Sequence, residues 1–309
     1  MQINITIDQI QVSQTFDSII IGAGISGITA SIYLKRANLN ILLLDKEYVG
    51  GQIVKTSIIE NYPGIESING ADFALKLSNQ IKSLDINYQM EEVIDIVDKD
   101  DYKEVITNKN IYKTKTILIA TGRIPRKLGL KNEKKLIGNG ISYCATCDGY
   151  FYKNKDIAII GGGNSALEAA LYLKNMCKSV TIINRSSKLK ADQLLIDKCR
   201  DITILYNTKI TELIEEDNKL VGLKLNDEQK LKIDGLFVYI GLIPTLSFIN
   251  NLNLETYNDY IVVDDKMETN IKGIYAAGDI IEKEMYQIIT AASEGAIASN
   301  QINKYINEN

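Results

Sequence analysis

Asp17-Ser18-Ile19-Ile20-Ile21-Gly22-Ala23-Gly24-Ile25-Ser26-Gly27 is a short apolar run that ends in a Gly-x-Gly-x-x-Gly turn. The run has the length and character of a strand buried in a parallel sheet. A helix over residues 26–36 and a second strand over 40–44 complete the strand-turn-helix-strand pattern. The same order recurs later in the chain. Residues 156–160 read as a strand, Gly161-Gly162-Gly163-Asn164-Ser165-Ala166 as the turn, 165–178 as a helix and 179–183 as a strand.

The two patterns stand in one register. Gly161 against Gly22, Gly163 against Gly24, Ala166 against Gly27 and Asn184 against Asp45 are all 139 positions apart. Two units at a constant offset point to a repeated fold. Each is followed by a β-rich stretch: residues 93–97, 103–107 and 111–115 in the first, 210–214, 220–225 and 230–233 in the second. Each then closes with an apolar strand ending on glycine, 117–122 and 236–241. Pro125 and Pro244, two of only three prolines, follow three residues later and mark domain crossings. The fold class expected is α/β: two Rossmann-like, three-layer dinucleotide-binding domains with small β-meanders, the second inserted into the first. The expected boundaries are an N-terminal extension over 1–15, a first domain over 16–123 and 245–309, and a second over 124–244. In the extension, Ile3, Ile5 and Ile7 alternate as in a strand, with a disordered segment as the equal alternative.

Composition narrows the function. The 309 residues are 45% hydrophobic and 24% charged, with a formal net charge of −4, enough for two cores and without the basic stripe of a nucleic-acid binder. The acidic stretch 91–104 reads as a solvated hairpin. Residues 18–34 carry no charge, but the glycines and hydroxyls interrupt them, so strand-turn-helix is favoured over a membrane span. The start of the chain lacks the basic region and apolar core of a signal peptide, and a cytoplasmic protein is expected. The chain has no histidine, which excludes His-based triads, Cys-His pairs and His-ligated metals.

In the first turn, Gly22 permits the tight bend, Gly24 lets the backbone approach a pyrophosphate and Gly27 permits close helix–strand packing. Asp45 is placed to accept hydrogen bonds from a ribose diol. The second unit has neutral Asn184 at that position, followed by Arg185, with Lys188 and Lys190 close behind. Positive charge there leans towards the 2′-phosphate of NADP, against the alternative of a solvated basic loop. Between the two turns lies Cys144-Ala145-Thr146-Cys147-Asp148. A Cys-x-x-Cys pair of this kind is redox-active or metal-binding. Zinc would need Cys177 and Cys199 as well, and Cys177 falls on the predicted helix, so a dithiol/disulfide pair is favoured and no metal is expected. Asp148 is either the proton donor to a departing thiolate or a turn aspartate. Cys177 and Cys199 read as core thiols.

Together these stretches resemble the low-molecular-weight, bacterial-type thioredoxin reductases. The resemblance runs from about Phe16 to the C-terminus. It is strongest from Cys144 through Tyr152 and into Gly161–Glu168, with further matches at Gly50-Gly51-Gln52, Glu60–Gly64, Ala120-Thr121-Gly122, Gly273–Asp279 and Gln287–Ala292. It implies a homodimeric FAD enzyme that moves electrons from NADPH to flavin, to disulfide, to thioredoxin. It implies FAD in the first domain, against Gly22, Gly24, Gly27, Asp45, Gly51, Gln52, Asn61, Gly278, Asp279, Gln287 and Ile288. It implies NADP in the second, at Gly161, Gly163, Asn164, Ser165, Arg185 and Lys190. It makes Cys147 the flavin-facing sulfur and Asp148 the acid, with a second domain that rotates between two states. Three features depart from the family pattern. The His-Arg-Arg phosphate motif with its later Arg reads Asn184-Arg185-Ser186 with Lys190. The Arg that precedes Gln287 in the family is Tyr286. Residues 1–15 extend beyond the usual start.

The expected activity is therefore that of an FAD-dependent thioredoxin-disulfide reductase, with no nucleic-acid or membrane partner. The altered phosphate motif motivates a rival donor, NADH or reduced ferredoxin. A reductase serving a peroxidase would carry a long thioredoxin-like N-terminal portion, which sixteen residues cannot supply. A non-catalytic flavin redox sensor is the rival from another class.

Overall fold

The structure, a computed structural model, describes residues 12–56, 58–99, 101–226 and 229–308. The alternating isoleucines at positions 3, 5 and 7 lie outside the described residues. The chain divides into two units: the first runs to Ile124 and resumes at Pro244, and the second is Pro125–Ile243.

The first unit opens with β1 (Val12–Ile21), α1 (Ile25–Arg36) and β2 (Ile41–Asp45). The next elements are α2 (Gly70–Ser83), β3 (Asn87–Met90), β4 (Val93–Asp98), β5 (Lys103–Thr107) and β6 (Ile111–Ile119). The strands form one sheet in the order β3-β2-β1-β6-β5-β4. Side chains alternate across it. Ile20, Leu43 and Leu118 pack on the face that carries α1 and α2, while Ile19, Ile21, Leu42 and Leu44 pack on the other. Both faces are covered, which is why these strands read as unbroken apolar runs.

Three expectations change here. β1 starts at Val12 and pairs in parallel with β6 from Ile111, so the sheet takes in residues 12–15, assigned above to the extension. The stretches 111–115 and 117–122 belong to one strand as far as Ile119. Thr116, where they were divided, is buried and its hydroxyl donates to the Asp17 carbonyl at 2.9 Å, so no turn is needed to satisfy it. The 91–104 hairpin forms, but Glu91 is buried: its carboxylate accepts from Thr107 (2.6 Å), Asn110 (2.9 Å) and Tyr112 (3.1 Å).

The second unit carries β7 (Arg123–Pro125, shared with the crossing), α3 (Glu133–Leu136), β8 (Ile141–Ser142) and α4 (Ala145–Asp148). Its dinucleotide motif is β9 (Asp156–Ile160), α5 (Asn164–Lys174) and β10 (Ser179–Ile183), then α6 (Gln193–Lys198) and β11 (Thr203–Leu205). β12 (Ile210–Glu216), β13 (Lys219–Leu225) and β14 (Gln229–Lys232) make an antiparallel three-stranded sheet, and β15 (Gly235–Val238) returns to the parallel one, ordered β11-β10-β9-β15-β8. Ile157 and Ile159 face α5; Ala158, Leu236 and Val238 face Leu213, Leu223 and Leu225 of the small sheet. α5 stops at Lys174, four residues short of the expected end, where the amides of Met176 and Cys177 turn back to the Leu173 carbonyl. Cys177 is therefore past the helix.

After β16 (Leu242–Pro244) the chain re-enters the first unit with β17 (Thr256–Tyr257), β18 (Tyr260–Ile261) and β19 (Ile274–Ala276), which pairs with the second half of β6. The long α7 (Ile288–Glu308) follows. Gly295 of α7 is pressed against α1; a Cβ there would collide with the Ser26 carbonyl. The α/β class with two Rossmann-like units is thus the architecture found.

Candidate active site

In the first unit the turn between β1 and α1 has three glycines in three environments. Gly22 has φ +112° and abuts Ala120, so it needs both the conformation and the missing side chain. A Cβ on Gly27 would collide with the Gly22 carbonyl, which fixes α1 tightly against the turn. Gly24 is different: no atom lies within 4 Å of where its Cβ would be. It is also the N-cap of α1 and offers no side chain, so the first amides of the helix face that open space uncapped.

The other first-unit residues gather around this turn. Asp45 accepts from the amides of Ala23 (2.6 Å) and Glu47 (2.9 Å), and burial nonetheless pushes its carboxyl above the usual range. It thus holds the glycine turn in place, with lone pairs left over for a ribose. The Gly50 amide donates to the Ala23 carbonyl at 2.8 Å, and Gly51 lies against Gly24. Gln52 donates to the Arg123 carbonyl (3.0 Å), and Asn61 donates to Gln287 across 226 residues of chain (3.1 Å). The Gly278 amide donates to Glu294 (2.8 Å), and Asp279 pairs with Arg123 (3.0 Å) and Lys283 (3.6 Å). Ile288 opens α7. Sequence reasoning missed Arg123, Lys283 and Glu294; a charge directly after Ala120-Thr121-Gly122 was the available signal.

A dinucleotide fits this cradle. Six buried side-chain polar atoms lack partners among the described residues, and three of them, Ser26 Oγ, Thr121 Oγ1 and Arg123 Nε, belong to the segments that bound the turn. Buried polar groups are normally paired, so orphans concentrated on one turn mark a polar ligand.

The second unit repeats the turn with Gly161 at φ +143° and open space at Gly163. Asn164 and Asp192 bond reciprocally, side chain to side chain at 2.7 Å and side chain to amide at 2.8 Å, while Ser165 is exposed beside them. Asn184 is buried, and its amide donates to the carbonyls of Ser186 and Lys188, both at 2.9 Å. It is consumed in shaping its own loop. The Lys190 amide donates to the Gly162 carbonyl at 2.7 Å, which draws the loop back over the turn. Arg185, Lys188 and Lys190 are exposed and form no ion pair with any described residue.

Cys144 and Cys147 are disulfide-bonded, with Cα atoms 5.3 Å apart. Cys144 is the N-cap of α4 and is buried; Cys147 is exposed. The Cys147 amide donates to Cys144 Sγ (3.2 Å), and the Thr146 hydroxyl lies 3.4 Å from the same sulfur. Asp148 accepts from the buried Ser142 hydroxyl at 2.7 Å, and that hydroxyl accepts the Cys144 amide at 3.0 Å. The Ala145 amide donates to the Tyr239 hydroxyl (2.9 Å), whose acidity burial suppresses. Ser142 and Tyr239 were not foreseen. Tyr239 sits inside an apolar run, where a polar residue was the only clue; Ser142, between Ile141 and Tyr143, carried no such signal.

A bonded cysteine pair in a unit with one dinucleotide turn, in a chain with a second such turn, is the composition of a pyridine nucleotide-disulphide oxidoreductase, and the model of that family matches residues 16–295. The chain belongs to this family, among its thioredoxin reductases. The thioredoxin reductase of Listeria monocytogenes is 39% identical over 301 residues, 95% of this chain and 94% of that protein. The solved thioredoxin reductase of Lactococcus lactis superposes with a TM-score of 0.91 at 37% identity, covering 95% of this chain and all of that one. A ferredoxin-flavin thioredoxin reductase from Clostridium acetobutylicum matches at 28% identity and a TM-score of 0.56, over 96% and 99% of the two chains. As a member of the pyridine nucleotide-disulphide oxidoreductases this chain is a flavin disulfide reductase. No described helix is long and apolar enough to cross a membrane.

Proposed function

We propose that the chain carries two electrons from NADPH, through FAD and the Cys144–Cys147 disulfide, to thioredoxin or a thioredoxin-like protein in the cytoplasm, as a homodimer. The observation that carries the reading is the closed disulfide at the start of α4, set beside Asp148 in a unit with its own dinucleotide turn. In this reading the first unit holds FAD at the α1 turn and the second holds the nicotinamide at the α5 turn. FAD, when bound, supplies the two-electron chemistry that joins nucleotide to disulfide.

The disulfide takes up a hydride equivalent, two electrons with one proton, and one further proton to become a dithiol. Cys147, the exposed sulfur, receives the reductant, and the S–S bond breaks towards Cys144, which departs as a thiolate. The Cys147 amide at 3.2 Å stabilises that departing charge. Asp148 supplies the proton, oriented by Ser142. The dithiol then reduces the partner's disulfide by exchange and closes again. Tyr150 and Phe151, directly after α4, are 76% and 70% exposed and offer the apolar surface a protein partner covers.

A second reading, reduced ferredoxin as donor, draws on Asn184 and Ser186 in place of phosphate-binding residues and on the ferredoxin-linked relative. Anaerobic titration of the purified flavoprotein with NADPH, NADH and reduced ferredoxin separately decides between them. Bleaching of the flavin by NADPH at the lowest concentration supports the first reading, and bleaching by ferredoxin alone supports the second.

A further inference from the structure

We propose that Arg123 is a ligand of the FAD site, presenting its Nε–H to an acceptor on the dinucleotide; the inference rests on the flavin reading above. Arg123 follows Ala120-Thr121-Gly122 directly. That segment closes on the first glycine turn: a Cβ on Gly22 would lie 2.9 Å from the Thr121 amide and overlap Ala120. The side chain is therefore delivered to the cradle by its backbone.

Once there, the guanidinium is fixed from several sides. Nη2 donates to Asp279 at 3.0 Å. The guanidinium carbon lies 3.8 Å over the centroid of the Tyr286 ring. The Arg123 carbonyl is held by Gln52 at 3.0 Å. Asp279 is steadied by Lys283 at 3.6 Å, and Lys283 by Glu294 at 2.7 Å. Tyr286 stays a neutral phenol, since burial and its hydrogen bond with Tyr260 push its pKa up to about 12. The ring is thus an uncharged platform that can stack a cation.

This arrangement uses one nitrogen and one face of the guanidinium. Stacking engages the face and leaves the N–H edge free, and Nε remains buried without an acceptor, although only 15% of the side chain is exposed. An ion pair with Asp279 alone does not account for this. A lysine could make that pair and would place no donor where the guanidinium carries its Nε–H. Thr121 Oγ1 and Ser26 Oγ, the neighbouring orphans, are left in the same way. One ligand with several acceptor oxygens and nitrogens satisfies all three, and FAD is such a ligand.

The test uses the full chain stripped of flavin, with FAD titrated back and its fluorescence quenching followed, beside thermal melting of the apoprotein. Wild type, R123K and R123M are compared. R123M is expected to weaken FAD by about tenfold or more, the loss of one charge-assisted hydrogen bond. R123K, which keeps the charge and the Asp279 pair but has no Nε–H, is expected to weaken FAD while the apoprotein melts as wild type does. If R123K binds FAD as wild type does, charge alone suffices and the proposal is overturned. Unchanged FAD affinity in R123M overturns it too, as does a loss of affinity matched by an equal loss of apoprotein stability. If R123M does not fold, R123K carries the test by itself. Wild-type apoprotein that takes up no FAD overturns both this proposal and the flavin reading beneath it.

Discussion

Gly24→Ala and Gly163→Ala should separate the two cofactor sites without disturbing the fold. Both glycines are extended, Gly24 at φ −76°, ψ −179° and Gly163 at φ −97°, ψ 178°, a region alanine adopts freely. Neither Cβ would meet an atom within 4 Å. Removing a glycine at such a site restricts the unfolded chain and stabilises by about 0.4–1 kcal/mol. The apoproteins should therefore melt at or slightly above the wild-type temperature. The open space is where the pyrophosphate is proposed to lie, and a methyl group there crowds it. Overpacking of that kind costs about 1–3 kcal/mol, or roughly 5- to 150-fold in a dissociation constant. Gly24→Ala should lose that much FAD affinity in a titration of apoprotein and leave the second unit unaffected. Gly163→Ala should retain flavin and show the loss in nucleotide affinity, read from the concentration that half-bleaches the flavin. FAD held by Gly24→Ala as tightly as by wild type would refute the assignment of that cradle. A melting temperature lowered by several degrees would refute the claim that the space is empty.

The remaining expectations concern the disulfide and the donor. Cys144→Ser and Cys147→Ser should each abolish disulfide reduction and keep FAD bound, since a single sulfur cannot close the internal bond; normal thioredoxin turnover by both variants would exclude the dithiol route. Asp148→Asn preserves the bond from Ser142 but removes the proton, so reoxidation of the reduced flavin by the disulfide should slow by about 10²–10⁴-fold in stopped flow. An unchanged rate removes Asp148 from the proton path. Ser186→Arg should tighten NADPH and leave NADH nearly unchanged, because it restores a fork that a hydroxyl lacks; equal effects on both nucleotides would place Ser186 away from the 2′-phosphate.

The features written locally in the sequence were legible, and those written across it were not. β9 and β10 match their expected bounds because apolar runs between turns define buried strands. The Gly22 and Gly161 turns follow from their glycines for the same reason. β6 was divided because, besides β1 along its length, it serves β5 along its first half and β19 along its second, and no local pattern announces a strand shared in that way. Glu91 read as solvated because its three partners lie 16 to 21 residues away. Arg123 and Asp279 are 156 residues apart, and only the fold shows that they pair.

Asn184 changes how the donor question is posed. From the sequence it stood, neutral, where an acid would select the bare ribose of NAD, and the positive charge following it leaned towards NADP. In the structure it is buried and both amide hydrogens are spent on the loop it begins. A side chain so committed has little left for either ribose, so it shapes the loop, and in the proposed reading the loop's exposed charges select the nucleotide. Those charges are Arg185, Lys188 and Lys190, and no described carboxylate pairs with them. Asp192, tied to Asn164 beside the turn, lies close enough to Glu168 for its charge to be felt there. Three cations on this loop without a carboxylate partner favour a doubly charged phosphate over a neutral diol. The discrimination then rests on charge at a solvated surface, which salt screens. A preference for NADPH over NADH that shrinks steeply between low and high ionic strength is what this arrangement requires. A preference that ignored salt would place the selecting contact in a buried pair that these residues do not form.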